Sequence, residues 1–215
     1  ESGLARLTNP ITKIIHKLRQ NTLKGSKSNI LAHYDLSNDF YKLWLDSTMT
    51  YSSGIFLNKN SSMHEASIEK LDRICRKLKL DSNDHVLEIG TGWGSFAVHA
   101  VKNYGCKVTT TTISDNQFNY VANLISKEGL GDKITLLNKD YRELEGAFDK
   151  VVSIEMIEAV GSDYVPGFFE KASSLLKQNG LMALQGITYN DPDFDAYKNS
   201  VDFIRKYIFP GSCLI

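Results

Sequence analysis

Glu88-Ile89-Gly90-Thr91-Gly92-Trp93-Gly94 lies between a predicted strand, residues 85–90, and a predicted helix, residues 95–104. Glycines in such a turn permit tight backbone geometry and close approach to a ligand. The helix that follows presents N–H groups without intrahelical partners to a negative or polar group. A dinucleotide turn has the spacing G-x-G-x-x-G. Here the third glycine comes one residue sooner, and an acidic residue, Glu88, precedes the first glycine by two.

Strand and helix alternate onward from this turn. Residues 107–114 are β-branched and strand-like, and residues 116–128 read as a helix ended by Gly129. Further strands are predicted at 133–138, 148–155 and 181–188, with a helix at 164–177 and a helix-like run at 194–207. Such alternation predicts an α/β fold, a doubly wound and mostly parallel sheet with helices on both faces. Working backward, residues 63–80 read as a helix with Met63, Ile68, Leu71, Ile74 and Leu78 as its buried stripe. Residues 33–57 carry Tyr34, Phe40, Tyr41, Trp44, Tyr51 and Phe56, which predicts an irregular or short-helical cap. The expected organisation is a basic amphipathic helix and linker over 1–28, an N-terminal helical cap over 29–80 and the α/β domain over 81–215. Five strands are spent by Thr188, so the C-terminal strands that often complete such a sheet are expected to be missing.

The G-x-G-x-G spacing with Glu88 is the pattern of S-adenosylmethionine (SAM) enzymes, which makes Glu88, Gly90, Gly92, Trp93 and Gly94 candidate cofactor residues. The second strand ends Thr112-Ile113-Ser114-Asp115-Asn116-Gln117. In doubly wound folds this end usually holds a ribose, and Asp115 and Gln117 compete for that role. Ser114 or Asp115 can also cap the next helix. After the third strand, in Asp140-Tyr141-Arg142, the acid is placed to meet an adenine amino group or to serve as an ordinary turn residue.

Lys and Arg number 25 and Asp and Glu number 25 among 215 residues, a balance that argues against a nucleic-acid binder. Hydrophobic residues make up 42% and charged residues 23%, the range of a globular protein. The sequence has no 18-residue apolar run and no signal-peptide pattern, and its three cysteines form no CxxC pair, so neither a metal nor a disulfide framework is expected. Its first residue is Glu1, which predicts a fragment. Arg6, Lys13, Lys17, Arg19, Lys24 and Lys27 face Glu1 alone in the first thirty residues, and Ile11, Ile14, Ile15 and Leu18 fall on one helical face. A helix of this kind either lies on an anionic membrane surface or packs on its own domain.

Several segments together resemble the cyclopropane-fatty-acyl-phospholipid synthases and the related mycolic acid cyclopropane synthases. They are His33-Tyr34-Asp35-Leu36-Ser37-Asn38-Asp39-Phe40-Tyr41, Met49-Thr50-Tyr51-Ser52, Leu87 to Gly94, Thr112-Ile113-Ser114 with Gln117, and Ser153-Ile154-Glu155-Met156-Ile157-Glu158-Ala159-Val160-Gly161. The resemblance implies a Rossmann-like class I SAM methyltransferase that places a methylene across a cis double bond of a phospholipid acyl chain. It implies a peripheral, cytoplasmic enzyme at the inner face of the membrane, and it leaves oligomeric state open, a homodimer included. It adds Tyr34, Tyr51, Ser52, Thr112, Ile113, Tyr141 and Arg142 to the cofactor residues. It also implies a bound bicarbonate as base, with Glu158 as the shell carboxylate and Ser53 and Gln185 beside it. Glu155, also at the strand end, ranks below Glu158. Many members carry Cys and His where this chain has Ser53 and Gln185, and neither residue here carries protons as a histidine does. The rival readings are a small-molecule or non-ring-closing fatty-acyl C-methyltransferase on the same fold, and a SAM-binding homologue without turnover.

Overall fold

The strand that leads into the glycine turn, β1 (His85–Ile89), is buried almost throughout, as a parallel strand covered on both faces must be. The computed structural model describes Asn21, Thr22, Gly25, Ser26, Asn29 and residues 37–215. The basic amphipathic segment within 1–20 and the candidate Tyr34 lie outside these residues.

Ser37 starts a short α1 (Asn38–Lys42) by accepting a hydrogen bond from the Phe40 amide. Ser62 and Glu65 start α2 (Met63–Leu78) with reciprocal bonds. The Ser62 hydroxyl accepts from the Glu65 amide at 3.2 Å, and the Glu65 carboxylate accepts from the Ser62 amide at 2.7 Å. After β1 come α3 (Ser95–Tyr104), β2 (Lys107–Thr112), α4 (Asp115–Lys127), β3 (Ile134–Asn138), β4 (Phe148–Ile154), α5 (Val165–Leu175) and β5 (Leu176–Gln185). The sheet order is β3-β2-β1-β4-β5, and every pair is parallel. Leu87 of β1 sits opposite Thr109 on one side and Val151 on the other. The core fills with Leu71, Ile74 and Leu78 of α2, Val86 of β1, Phe96 and Ala100 of α3, and Val121 of α4. The doubly wound parallel sheet expected from the alternation is therefore present.

Some expected boundaries shift. The buried face of α2 is Ala66, Ser67, Lys70, Leu71, Ile74, Cys75 and Leu78, while Met63 is exposed and Ile68 half-buried. The face turns because the cap segment presses on Ala66, whose carbonyl accepts from the Ile55 amide at 2.9 Å. A Cβ on Gly54 would stand 2.9 Å from the Ala66 Cβ and 3.0 Å from its carbonyl carbon. Replacing Gly54 with Ala is thus expected to destabilise the protein by about 1–3 kcal/mol. Urea denaturation measures this, and an unchanged midpoint would refute the close approach. The fifth strand begins earlier than 181 and ends before 188. Leu176 already pairs with Phe148, and the register then jumps to Leu181 opposite Lys150, with Asn179 at φ 66° in the bulge.

The chain divides into two compact units. One, Leu36–Ile154 with Glu170–Gln185, holds the sheet. The other includes Glu155–Phe169 and Gly186–Ile215. Within it, Asn21 donates to the carbonyl oxygens of Val160 and Gly211. The helix expected over 194–207 is instead a short α6 (Phe194–Lys198) and a separate π-helical turn, Ile204–Ile208. Buried Arg205 explains the break. Its guanidinium donates to the carbonyl oxygens of Tyr197, Ser200 and Ser212, so Tyr197 and Ser200 are not left to the i+4 amides of a continuous helix.

Candidate active site

The glycine turn is built at the carboxyl end of β1, beside the point where the strand order reverses and doubly wound folds bind ligands. The amides of Gly90 and Thr91 both donate to the Thr111 carbonyl, at 3.2 and 2.9 Å, and the Gly94 amide donates to the Thr91 carbonyl at 2.8 Å. Gly90, Gly92 and Gly94 all have positive φ. At Gly92, with φ 51°, a Cβ would meet no protein atom within 4 Å, so the turn keeps open space on that side. Below it, Glu88 is 3% exposed and accepts from the Thr110 hydroxyl at 2.6 Å. Burial pushes its carboxyl up to about 8, against the Thr110 bond and the nearby Lys70 charge, which favour ionisation.

The end of β2 closes into a small hydrogen-bonded ring. The Thr112 hydroxyl donates to Gln117 Oε1 at 2.8 Å and accepts from the Ser114 amide at 3.1 Å. Ser114 caps α4 by accepting from the Gln117 amide, and half-buried Ile113 stands at the bend. Asp115 is exposed and accepts from Asn138 at the end of β3. Asp140 is buried, and its two oxygens meet Arg142 Nε at 2.8 Å and Nη2 at 2.6 Å. The Arg142 guanidinium lies over the Tyr141 ring, 5.4 Å from its centroid. Asp140 therefore fixes Arg142 and Tyr141 at the edge where β3 ends.

An aromatic cluster joins the turn to the cap. Trp93 is buried and packs on Tyr41 with ring centroids 4.6 Å apart, and Tyr51 packs on both Tyr41 and Trp44 at 5.6 and 5.5 Å. Trp93 Nε1 donates to Asn38 at 3.0 Å. Burial raises the Tyr41 phenol to about 12, with the Tyr51 phenol adding to the effect. Ser52 accepts from the Lys70 ammonium at 2.5 Å, and Gln185 Nε2 donates to the Ser53 hydroxyl at 3.2 Å and its carbonyl at 3.3 Å.

In the other unit, Glu158 sits in a 3-10 turn, Ile157–Ala159. Its Oε1 accepts from the Ile187 amide at 2.5 Å, and its carbonyl accepts from the Cys213 amide at 2.9 Å. Its Oε2 is buried and has no hydrogen-bond partner among the described residues. Burial pushes the Glu158 carboxyl up, the Ile187 bond pulls it down, and the Glu155 charge adds to the rise. Glu155 itself holds φ at 48°, a conformation rare for a residue with a Cβ.

The structure thus brings Glu88, Gly90–Gly94, Thr112–Gln117 and Asp140–Arg142 to the carboxyl ends of three adjacent strands, and it joins Ser53 to Gln185. Sequence reasoning missed Lys70, Thr110 and Asn38. Lys70 left a readable signal, since it interrupts the apolar face of α2 one turn after Ala66 and one turn before Ile74.

The family model of mycolic acid cyclopropane synthetase matches residues 21–215. A probable fatty acid methyltransferase of Pseudomonas putida is 39% identical over 195 residues, which cover 89% of this chain and 50% of that protein. Cyclopropane mycolic acid synthase 1 of Mycobacterium tuberculosis is 36% identical over 202 residues, 89% of this chain and 70% of its own. The solved structure of mycolic acid cyclopropane synthase CmaA1 complexed with SAH and CTAB matches with a TM-score of 0.81 at 34% identity, over 87% of this chain and 69% of that one. The chain spans about half the length of several curated relatives it matches.

Proposed function

Because the chain belongs to the mycolic acid cyclopropane synthetase family, we propose that it carries the S-adenosylmethionine site of an enzyme that adds a methylene across a cis double bond of an unsaturated fatty-acyl chain. The observation that carries this reading is Trp93, a residue of the glycine turn that is packed into the aromatic cap with Tyr41 and Tyr51. The cofactor residues present fit the ligand. Space lies open at Gly92, and the Thr112–Gln117 ring and Asp140–Arg142 border the same sheet edge. When bound, S-adenosylmethionine supplies a sulfonium methyl, an electrophile able to react with an isolated alkene. Half-buried Tyr51, packed beside Trp93, excludes water around the reacting carbons, and its ring face stabilises positive charge left on the acyl chain. Ring closure then requires loss of a proton. The Glu158 Oε2, buried without a partner, fits a hydrogen-bond donor such as the hydroxyl of a bicarbonate base. Gln185 fixes the Ser53 hydroxyl, a donor suited to an oxyanion.

One observation favours a second product. The P. putida relative bears the name of a fatty acid methyltransferase. Proton loss without ring closure would leave a branched acyl chain.

No helix among the described residues is long and apolar enough to cross a membrane. We propose peripheral binding at the cytoplasmic face, where the basic residues before Asn21 attract anionic lipid. Full-length protein incubated with S-adenosylmethionine and unsaturated phospholipid vesicles is expected to raise lipid mass by one methylene per reacted chain. Proton NMR then separates ring from branch. Intact cofactor binding with unchanged lipid mass would overturn the lipid acceptor.

A further inference from the structure

Lys70 projects from the apolar face of α2 and is only 1% exposed. A lysine seldom lies so deep unless its charge has a purpose or a partner. Its Nζ donates to Ser52 Oγ at 2.5 Å, and its charge acts on Glu88 at the end of β1. Glu88 accepts from the Thr110 hydroxyl, and the Thr110 and Thr91 hydroxyls share a further hydrogen bond. Glu88, Thr110 and Thr91 are all buried. Lys70 with Ser52, and Glu88 with Thr110 and Thr91, therefore form two hydrogen-bonded groups within the unit that holds the sheet.

Packing alone does not account for the ammonium, because an apolar side chain of similar length would join α2 to the sheet at no desolvation cost. The cap segment is also already tied to α2 by the bond from the Ile55 amide to the Ala66 carbonyl. What Lys70 adds is direction. An oxygen that accepts from an ammonium turns its own O–H away from it, so Ser52 is oriented as a donor. The geometry points to Lys70 as a positioning residue. Acting through Ser52, it holds the 51–53 segment where Tyr51 and Ser52 meet the bound cofactor. This rests on the cofactor reading above.

The test is calorimetric titration of S-adenosylmethionine into full-length wild-type protein, Lys70→Met, Ser52→Ala and the double variant, with urea denaturation of each. Each single change is expected to weaken binding about tenfold, the scale of one lost hydrogen bond with a charged partner. The double variant is expected to lose no more than either single one, since both remove the same contact. Lys70→Met should resist urea at least as well as wild type, which a merely structural lysine would not allow. Lys70→Gln, a neutral donor, should recover part of the affinity. Wild-type affinity in Lys70→Met, or losses that multiply in the double variant, would overturn the proposal. If neither Lys70 variant folds, Ser52→Ala decides. Wild-type affinity in that variant overturns the proposal by leaving Lys70 nothing to act through. A wild-type protein that binds no S-adenosylmethionine refutes the cofactor reading itself, and this inference with it.

Discussion

Glu158→Gln in the full-length protein is expected to lower turnover by about 100- to 10,000-fold, the usual loss when one component of a general-base arrangement is removed. Affinity for S-adenosylmethionine should not change. The substitution is chosen for what it keeps. The Glu158 Oε1 accepts from the Ile187 amide, and a glutamine carbonyl takes the same bond in the same place. What disappears is the charge behind Oε2, the buried atom without a partner among the described residues. An unmet buried acceptor costs about 1–3 kcal/mol, and native structures retain few such groups without a functional reason. Steady-state turnover on lipid vesicles, paired with calorimetry, separates the two effects. Wild-type turnover would leave Glu158 a turn carboxylate and move attention to Glu155, which holds a strained φ of 48°.

Gly92→Val should abolish S-adenosylmethionine binding, with affinity falling by about 100-fold or more, near 3 kcal/mol. No protein atom lies within 4 Å of a Cβ at this position, so the new side chain fills space left for the ligand. The backbone adds a smaller penalty. With φ at 51°, a β-branched residue costs about 1–3 kcal/mol, a loss a domain of ordinary stability survives. Circular dichroism should show a folded protein, and calorimetry should show no binding. A folded Gly92→Val protein with wild-type affinity would place the cofactor elsewhere.

The parallel sheet was legible because β-branched or apolar runs such as Lys107–Thr112 alternate with helix-like stretches. The family was legible in the combination of the glycine turn, the Tyr51-Ser52 segment and the strand end at Ser153–Gly161, and the match over residues 21–215 bears it out. Edges were harder to read. Leu176 joins β5 through a bulge at Asn179, and no residue pattern announces a register jump. The helix expected to run through 194–207 breaks because Arg205 reaches back to carbonyl oxygens that a periodic pattern assigns to amides. Lys70 stayed hidden because a lysine is counted as solvated surface, and only its place between Ala66 and Ile74 hints otherwise. The Trp93–Asn38 bond links residues 55 positions apart, which no local pattern encodes.

The order β3-β2-β1-β4-β5 also governs how the chain can fold as it is made. β2 and β3 extend the sheet from one side of β1, while β4, which covers the other side, is not translated until Phe148–Ile154. At roughly 5–20 residues per second, β1 spends several seconds with one edge open to any passing strand. His85-Val86-Leu87-Glu88-Ile89 is otherwise the kind of apolar run that pairs indiscriminately. A carboxylate in the middle of that run, still hydrated and charged before burial, discourages intermolecular pairing until β4 arrives. Glu88 would then guard the nascent sheet against aggregation before it ever lies beneath a ligand.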